Sequence, residues 1–154
     1  MAIDMTRKFP RPEGHHTVTP GFAVEKAAKV LDFLVNAFGA KIVEKYDGPN
    51  GTIAHAEVLI GDSVVMLGDA SKDHPAHPAG FSLYVDNGEA VDRTFKRALD
   101  YGAKELMPIK NQFYGYRSGT VQDVGGNKWT ICAVIEKVSK EEMHRRMADM
   151  MKGG

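Results

Sequence analysis

Apolar and polar positions alternate with a period of two along most of the chain, and two stretches of helical period interrupt them. Residues 16–24, HTVTPGFAV, alternate as a strand, with Val18, Phe22 and Val24 on one face and Thr17, Thr19 and Gly21 on the other. Ala27, Leu31, Leu34, Val35 and Phe38 then form an apolar stripe at helical spacing, which Gly39 ends. AKIVEKYDG, GTIAHAEVLI and DSVVMLGD predict three further strands divided by glycine-containing turns. After SKDHPAHPAG the same order returns. FSLYVD predicts a strand, Asn87 an N-cap, and Val91, Phe95, Ala98 and Leu99 a helix ending near Gly102. AKELMPI, YRSGTVQDV and KWTICAVIE then predict three strands. FGAK at 38–41 and YGAK at 101–104 close equivalent helices and open equivalent strands.

The repeat predicts an α+β chain of two tandem βαβββ units, residues 15–70 and 80–137, joined by a linker at 71–79. A flexible arm at 1–14 precedes them, and a terminal helix and tail occupy 138–154, with Ser139 as N-cap and Glu142 at the capping-box position. Each unit is expected to form a curved mixed sheet with its helix on the convex face. The helix-covered set is Val18, Phe22 and Val24; Ala54, Ala56, Val58 and Ile60; Val65 and Leu67; and Trp129, Ile131, Ala133 and Ile135. The concave set is Thr19, His55, Glu57, Met66, Phe81, Thr130 and Cys132, a mixed lining of the kind a ligand meets. The placement of His55 and Glu57 depends on the hairpin. With an even-numbered turn at Gly61-Asp62, Glu57 faces Met66 across the strands and shares its side of the sheet.

Charge and composition narrow the function classes. Twenty basic and twenty acidic residues in 154 leave no basic excess, which argues against nucleic acid as a partner. No apolar run approaches the roughly 20 residues of a membrane span, and the first residues carry no apolar signal-like core. A single cysteine, Cys132, excludes an internal disulfide framework and suits a cytoplasmic setting.

His55 and Glu57 admit three readings: an inert hydrogen-bonded pair, a ligand-orienting or proton-handling pair with Glu57 as base, or a remnant metal site. His74 and His77 sit among prolines in the linker and are expected to be solvated, whereas His15 could reach the cavity mouth. In QFYGYRSG, Phe113 or Tyr114 could cap a cavity and Arg117 could bind an anionic or carbonyl group; a plain hairpin turn is the alternative. Trp129 is assigned to the core, and Cys132 is expected to be a buried, inert thiol. Met143, Met147, Met150 and Met151 are expected to pack the last helix on the body or on a partner.

HTVTPGFAV, AFGAK, HAEVLIGDSVVMLGD, GFSLYVD, QFYGYRSGTVQDVGGNKWTI and VSKEEMHRRM occur in an order that resembles the vicinal oxygen chelate superfamily, in its PhnB-like branch. That superfamily includes glyoxalase I, extradiol dioxygenases and bleomycin- or fosfomycin-resistance proteins. The resemblance implies the glyoxalase/bleomycin resistance fold and a homodimer with a shared or unit-exchanged cavity. It also places four metal-ligand positions at Thr19, Met66, Phe81 and Thr130, none of which is a usual ligand. DVGGNKW (123–129) stands where many relatives carry DPFGHRW, predicting a looser loop, and Val134 stands where many carry His. The expectation is therefore a cofactor-free, metal-independent protein that binds a small aromatic or amphipathic molecule. Its expected contacts are His55, Glu57, Met66, Phe81, Phe113, Tyr114, Arg117, Thr19 and Thr130. The rivals are a lyase or isomerase using Glu57 as base or a non-standard metal site, and a ligand-free structural or regulatory dimer.

Overall fold

The computed structural model describes residues 2–4, 6 and 9–153; Met1, Met5, Arg7, Lys8 and Gly154, which include part of the expected flexible arm, lie outside the described residues. The first unit runs β1 (Gly21–Val24), α1 (Ala27–Phe38), β2 (Lys41–Asp47), β3 (Ile53–Ile60) and β4 (Ser63–Asp69). The second runs β5 (Gly80–Tyr84), α2 (Gly88–Asp100), β6 (Lys104–Asn111), β7 (Tyr116–Gln122) and β8 (Lys128–Val134), and α3 (Lys140–Lys152) follows. Each unit builds a four-stranded sheet, in the orders β1-β4-β3-β2 and β5-β8-β7-β6. In both sheets the first strand is parallel to the fourth and the other pairs are antiparallel. This is the expected α+β architecture.

The helices start and stop where local chemistry directs. Asn87 Oδ1 accepts from Ala90 N at 2.9 Å, and Ser139 accepts from Glu142 N at 3.1 Å, as predicted for N-caps. Glu142 does not close a capping box; its carboxylate is taken by Arg145 and Arg146 one turn on. α1 has no side-chain cap of its own. Asp69, at the end of β4, supplies the acceptor instead, taking Ala27 N on Oδ1 and Ile53 N on Oδ2.

One core serves both units. Phe22, Val24, Ala56, Val58, Ile60, Val65 and Leu67 from the first sheet and Val121, Trp129, Ile131 and Ala133 from the second join the buried faces of both helices in one cluster. An aromatic chain crosses the junction: Phe81 stacks on Trp129 at 4.3 Å, and Trp129 meets Phe38 at 5.0 Å, while Phe22 lies 5.4 Å from Phe81. Such ring pairs contribute roughly 0.5–1.5 kcal/mol each beyond area burial. With the helices gathered on this side, the opposite face of each sheet is left open.

Several face assignments change. The first strand begins at Gly21, so Val18 is 82% exposed in the preceding loop and Thr19 bonds the His16 backbone there instead of facing a cavity. Ile135 follows β8 and is exposed. Opposite β2 a register shift falls between the Tyr46–His55 and Asp47–Ile53 pairs, leaving Ala54 as the extra residue of a bulge. Ile53 is consequently buried and Ala54 exposed, the reverse of the expected parity. Phe81 shares a face with Trp129 across the β5–β8 ladder and packs in the core, not on the open side. The 123–129 segment is not loose: Asp123 accepts from Gly125 N, Asn127 N, Asn127 Nδ2 and Trp129 Nε1 at 2.8–3.1 Å. No residue of α3 is buried, and Met147, Met150 and Met151 are exposed. The helix is held by Arg146, which donates to the Phe113 carbonyl and pairs with Glu136; Met147, Met150 and Met151 do not pack on the body, whereas Met143 is half-buried.

Candidate ligand site

The β3–β4 hairpin decides what faces outward. Its ladder closes with Ile60 opposite Ser63, leaving the two-residue turn Gly61-Asp62. Gly61 has φ +61° and Asp62 does not adopt positive φ, the pattern of a type II′ turn. The register that follows puts Glu57 opposite Met66. Ala56, Val58 and Ile60 therefore turn to the helices, and His55, Glu57 and Leu59 turn to the open face.

Two other segments cover that face. Near the turn, Val64 N donates to Gly14 O at 3.0 Å and Met66 N to Pro20 O at 2.9 Å, so residues 15–19 loop out between two anchor points beside β4. This contact leaves Val64 only 1% exposed although it belongs to the open face. At the other end the linker folds back on β1, where His77 N donates to Ala23 O at 3.3 Å. Beneath it lies a hollow of about 440 Å³ walled by Gly21, Ala23, His55, Met66, Gly68, His74, Pro75 and His77. Its depth comes from small residues. At Gly68 a Cβ would lie 2.7 Å from the Ala54 carbonyl oxygen that the bulge pushes toward it. The linker histidines His74 and His77 are exposed, as expected, and stand at the edge of the same hollow as His55.

Glu57 sits at the seam between the two covers. Its side chain is 13% exposed, with Oε2 3.0 Å from His15 Nε2 and Oε1 3.1 Å from His55 Nε2. The carboxylate only accepts, so the His55 hydrogen shared with it is on Nε2. The His55 ring lies roughly parallel to Tyr46 at 6.4 Å, and its Nδ1 has no partner among the described residues. Sequence spacing brought out His55 and Glu57; His15 joins them through a loop whose path no local pattern specifies.

The remaining candidates do not converge here. Arg117 lies on the helix side of β7, donating from Nε and Nη2 to Asp92 Oδ1 on α2 and from Nη1 to Asn111 Oδ1, so it is engaged away from the open face. Phe113 and Tyr114 belong to an edge-to-face aromatic cluster with Tyr116 and Tyr84 beyond the open face of the second sheet. Tyr116 beside the Tyr84 hydroxyl holds its ionisation up at about 12. Thr130 is on that second face, bonded to Thr120 at 3.0 Å. Cys132 is beside it, 2% exposed, and burial pushes its thiol up. A second hollow of about 780 Å³ opens where the units meet, between Phe38, Phe81, Trp129 and the α2 arginines. There Arg97 is already bonded to the Asn36 carbonyl at the end of α1, and His55, Glu57 and Met66 are not part of its wall.

A family profile described as the Glyoxalase/Bleomycin resistance protein/Dioxygenase superfamily matches residues 14–131. The chain belongs to that superfamily. An uncharacterised protein of Mycobacterium bovis is 30% identical over 147 residues, covering 88% of this chain and 95% of the relative. Among solved structures, a PhnB protein from Bacillus cereus aligns with TM-score 0.63 at 21% identity, over 77% of this chain and 99% of that one. The fosfomycin resistance protein FosX of Listeria monocytogenes, solved with Mn(II) and sulfate, aligns with TM-score 0.61 at 17% identity, over 86% and 97%. These structural likenesses speak to the fold alone.

Divalent metals serve parts of this superfamily, as the Mn(II) in FosX illustrates. The corresponding residues of this chain do not fit one. Two hydroxyls, a thioether and a phenyl ring make a poor donor set for such an ion. The fold also separates them: Thr19 lies in a loop, Met66 and Thr130 on the open faces of different sheets, and Phe81 in the core. Among the described residues no group of three or more His, Cys, Asp or Glu side chains is arranged to hold a metal ion. No helix among them is long and apolar enough to cross a membrane.

Proposed function

We propose that the protein binds a small aromatic or amphipathic molecule, without a divalent metal, on the open face of the first sheet. The observation that carries this is the 440 Å³ hollow under the linker, where apolar Ala23, Met66 and Pro75 adjoin His55. Small-molecule sites commonly combine such an apolar wall with a few polar groups, at volumes of about 300–1,000 Å³. Glu57 contributes by holding His55. Sequestration of the ligand, as the resistance proteins named in the family description suggest, is the role that suits this wall. Exposed apolar residues on edge strands β2 and β6, among them Ile42, Val43, Leu106 and Met107, support a homodimer in which a second copy shares the open faces. The single reduced cysteine suits action in the cytoplasm.

The test is binding of a panel of aromatic compounds by calorimetry, comparing the wild type with Ala23→Leu. The added side chain fills the hollow from β1 without touching the backbone bond to His77. Binders should weaken tenfold or more while the unliganded melting temperature changes little. Binding that is indifferent to Ala23→Leu would sink this assignment.

A further inference from the structure

We propose that His55, positioned by Glu57, is a hydrogen and proton acceptor in the hollow, and that the ligand presents an aromatic hydroxyl to it. The inference rests on the reading that the hollow binds a small molecule, and it specifies that molecule's chemistry. The Glu57 carboxylate occupies the Nε2–H of His55 at 3.1 Å, so the neutral ring retains a lone pair on Nδ1, and Nδ1 is unpartnered among the described residues. A ring nitrogen in that state accepts and cannot donate. Glu57 is itself fixed from the far side by His15 at 3.0 Å, so the ring orientation is set before a ligand arrives. Carboxylate–imidazole pairs of this kind steady the tautomer and stabilise the imidazolium that forms when the ring takes a proton.

The surroundings favour a phenol over other donors. Both oxygens of Asp69, which also borders the hollow, are consumed by Ala27 N and Ile53 N. Asp73 is exposed at the rim. An ammonium group would find His55 Nδ1 as the one acceptor held in a set orientation, while the His74 and His77 rings and the Asp73 carboxylate are exposed at the rim. A carboxylate ligand would meet Asp69 and Asp73, with Glu57 behind His55 and no Lys or Arg in the wall. A ring hydroxyl supplies one donor on an apolar body that suits Ala23, Met66 and Pro75. When its proton passes to Nδ1, a phenolate is left beside an imidazolium whose Nε2–H stays on Glu57. The groups facing His55 are Glu57 and, through it, His15; Tyr46 on β2; and His74, His77 and Asp73 from the linker.

The experiment uses 4-nitrophenol and 4-nitroanisole, which differ by replacement of the hydroxyl with a methoxy group, read by calorimetry and by the absorbance band of the phenolate. Wild type should bind the phenol at least tenfold tighter than the ether and raise the bound phenolate fraction. His55→Leu should abolish the preference. Glu57→Gln should retain binding but lower the phenolate fraction, an effect that a purely structural role would not produce. Equal affinity for the two probes, or a preference that survives His55→Leu, overturns the proposal while leaving the hollow as the site. Failure of both probes to bind, or binding unaffected by Ala23→Leu, overturns the site and this inference together.

Discussion

Replacing Asp123 with alanine tests the idea that the segment before β8 is an organised support and not a slack loop. The carboxylate is 5% exposed and gathers four donors. Three of these, Asn127 N, Asn127 Nδ2 and Trp129 Nε1, belong to residues no more than 2% exposed, so water reaches them poorly once the acceptor is gone. Each stranded donor costs about 1–3 kcal/mol. The saving from no longer burying a charge, together with partial hydration at the Gly125 end, holds the total to the low side, about 3 kcal/mol. For a chain of this size that corresponds to a fall of about 6–12 °C in melting temperature. Asp123→Asn keeps one acceptor oxygen and should lose about half as much, roughly 1–2 kcal/mol. Urea unfolding of the three proteins, with Trp129 fluorescence as the probe, supplies both numbers. An alanine variant within 1 kcal/mol of wild type would show that water replaces the carboxylate and that the node is dispensable.

Three further outcomes follow from other parts of the molecule. Dialysis against a chelator should leave the affinity of any aromatic binder unchanged, whereas a tenfold loss restored by a divalent ion would contradict the poor ligand chemistry of Thr19, Met66, Phe81 and Thr130. Cys132, buried and with its thiol pushed up by that burial, should react with a thiol reagent only on unfolding; rapid stoichiometric labelling of the native protein at neutral pH would refute its placement. Glu142 is held down to about 2 by Arg145 and Arg146, and Glu136 is lowered by Arg146. A carboxylate depressed in the folded state contributes above its ordinary range and loses that contribution as pH falls through the folded value. The Glu136–Arg146 contact of α3 with the body should therefore persist below the ordinary carboxylate range, and the Glu142 pairs within the helix should fail only toward pH 2, as read from amide chemical shifts of Arg146 and its neighbours; loss of either at the ordinary carboxylate range would contradict it.

The duplicated order of elements, the N-caps at Asn87 and Ser139 and the stop at Gly39 were legible in the chain because each depends on residues within one or two turns of one another. The hairpin was legible too: Gly61 permits the positive φ of a two-residue turn, and that turn sets Glu57 opposite Met66. The core placement of Phe81 was also available, since Phe81, Leu83 and Val85 alternate with Ser82 and Tyr84, and Arg117 shares its parity with Gly119 and Val121 under α2. Ala54 could not be placed that way. Alternation holds only within an unbroken ladder, and the bulge that reverses it arises from how β2 and β3 settle against each other.

The candidate site divides along the same line. The spacing of His55 and Glu57 placed both on one face, a property of β3 alone. The roof of the hollow and the second imidazole on Glu57 come from residues 71–77 and from His15, which reach the sheet through loops. The course of those loops is decided by contacts with residues distant in sequence, such as Gly14 O with Val64 N and Ala23 O with His77 N. No periodicity encodes such contacts, so the chemistry of the pair was written in the sequence and the cavity around it was made only by folding.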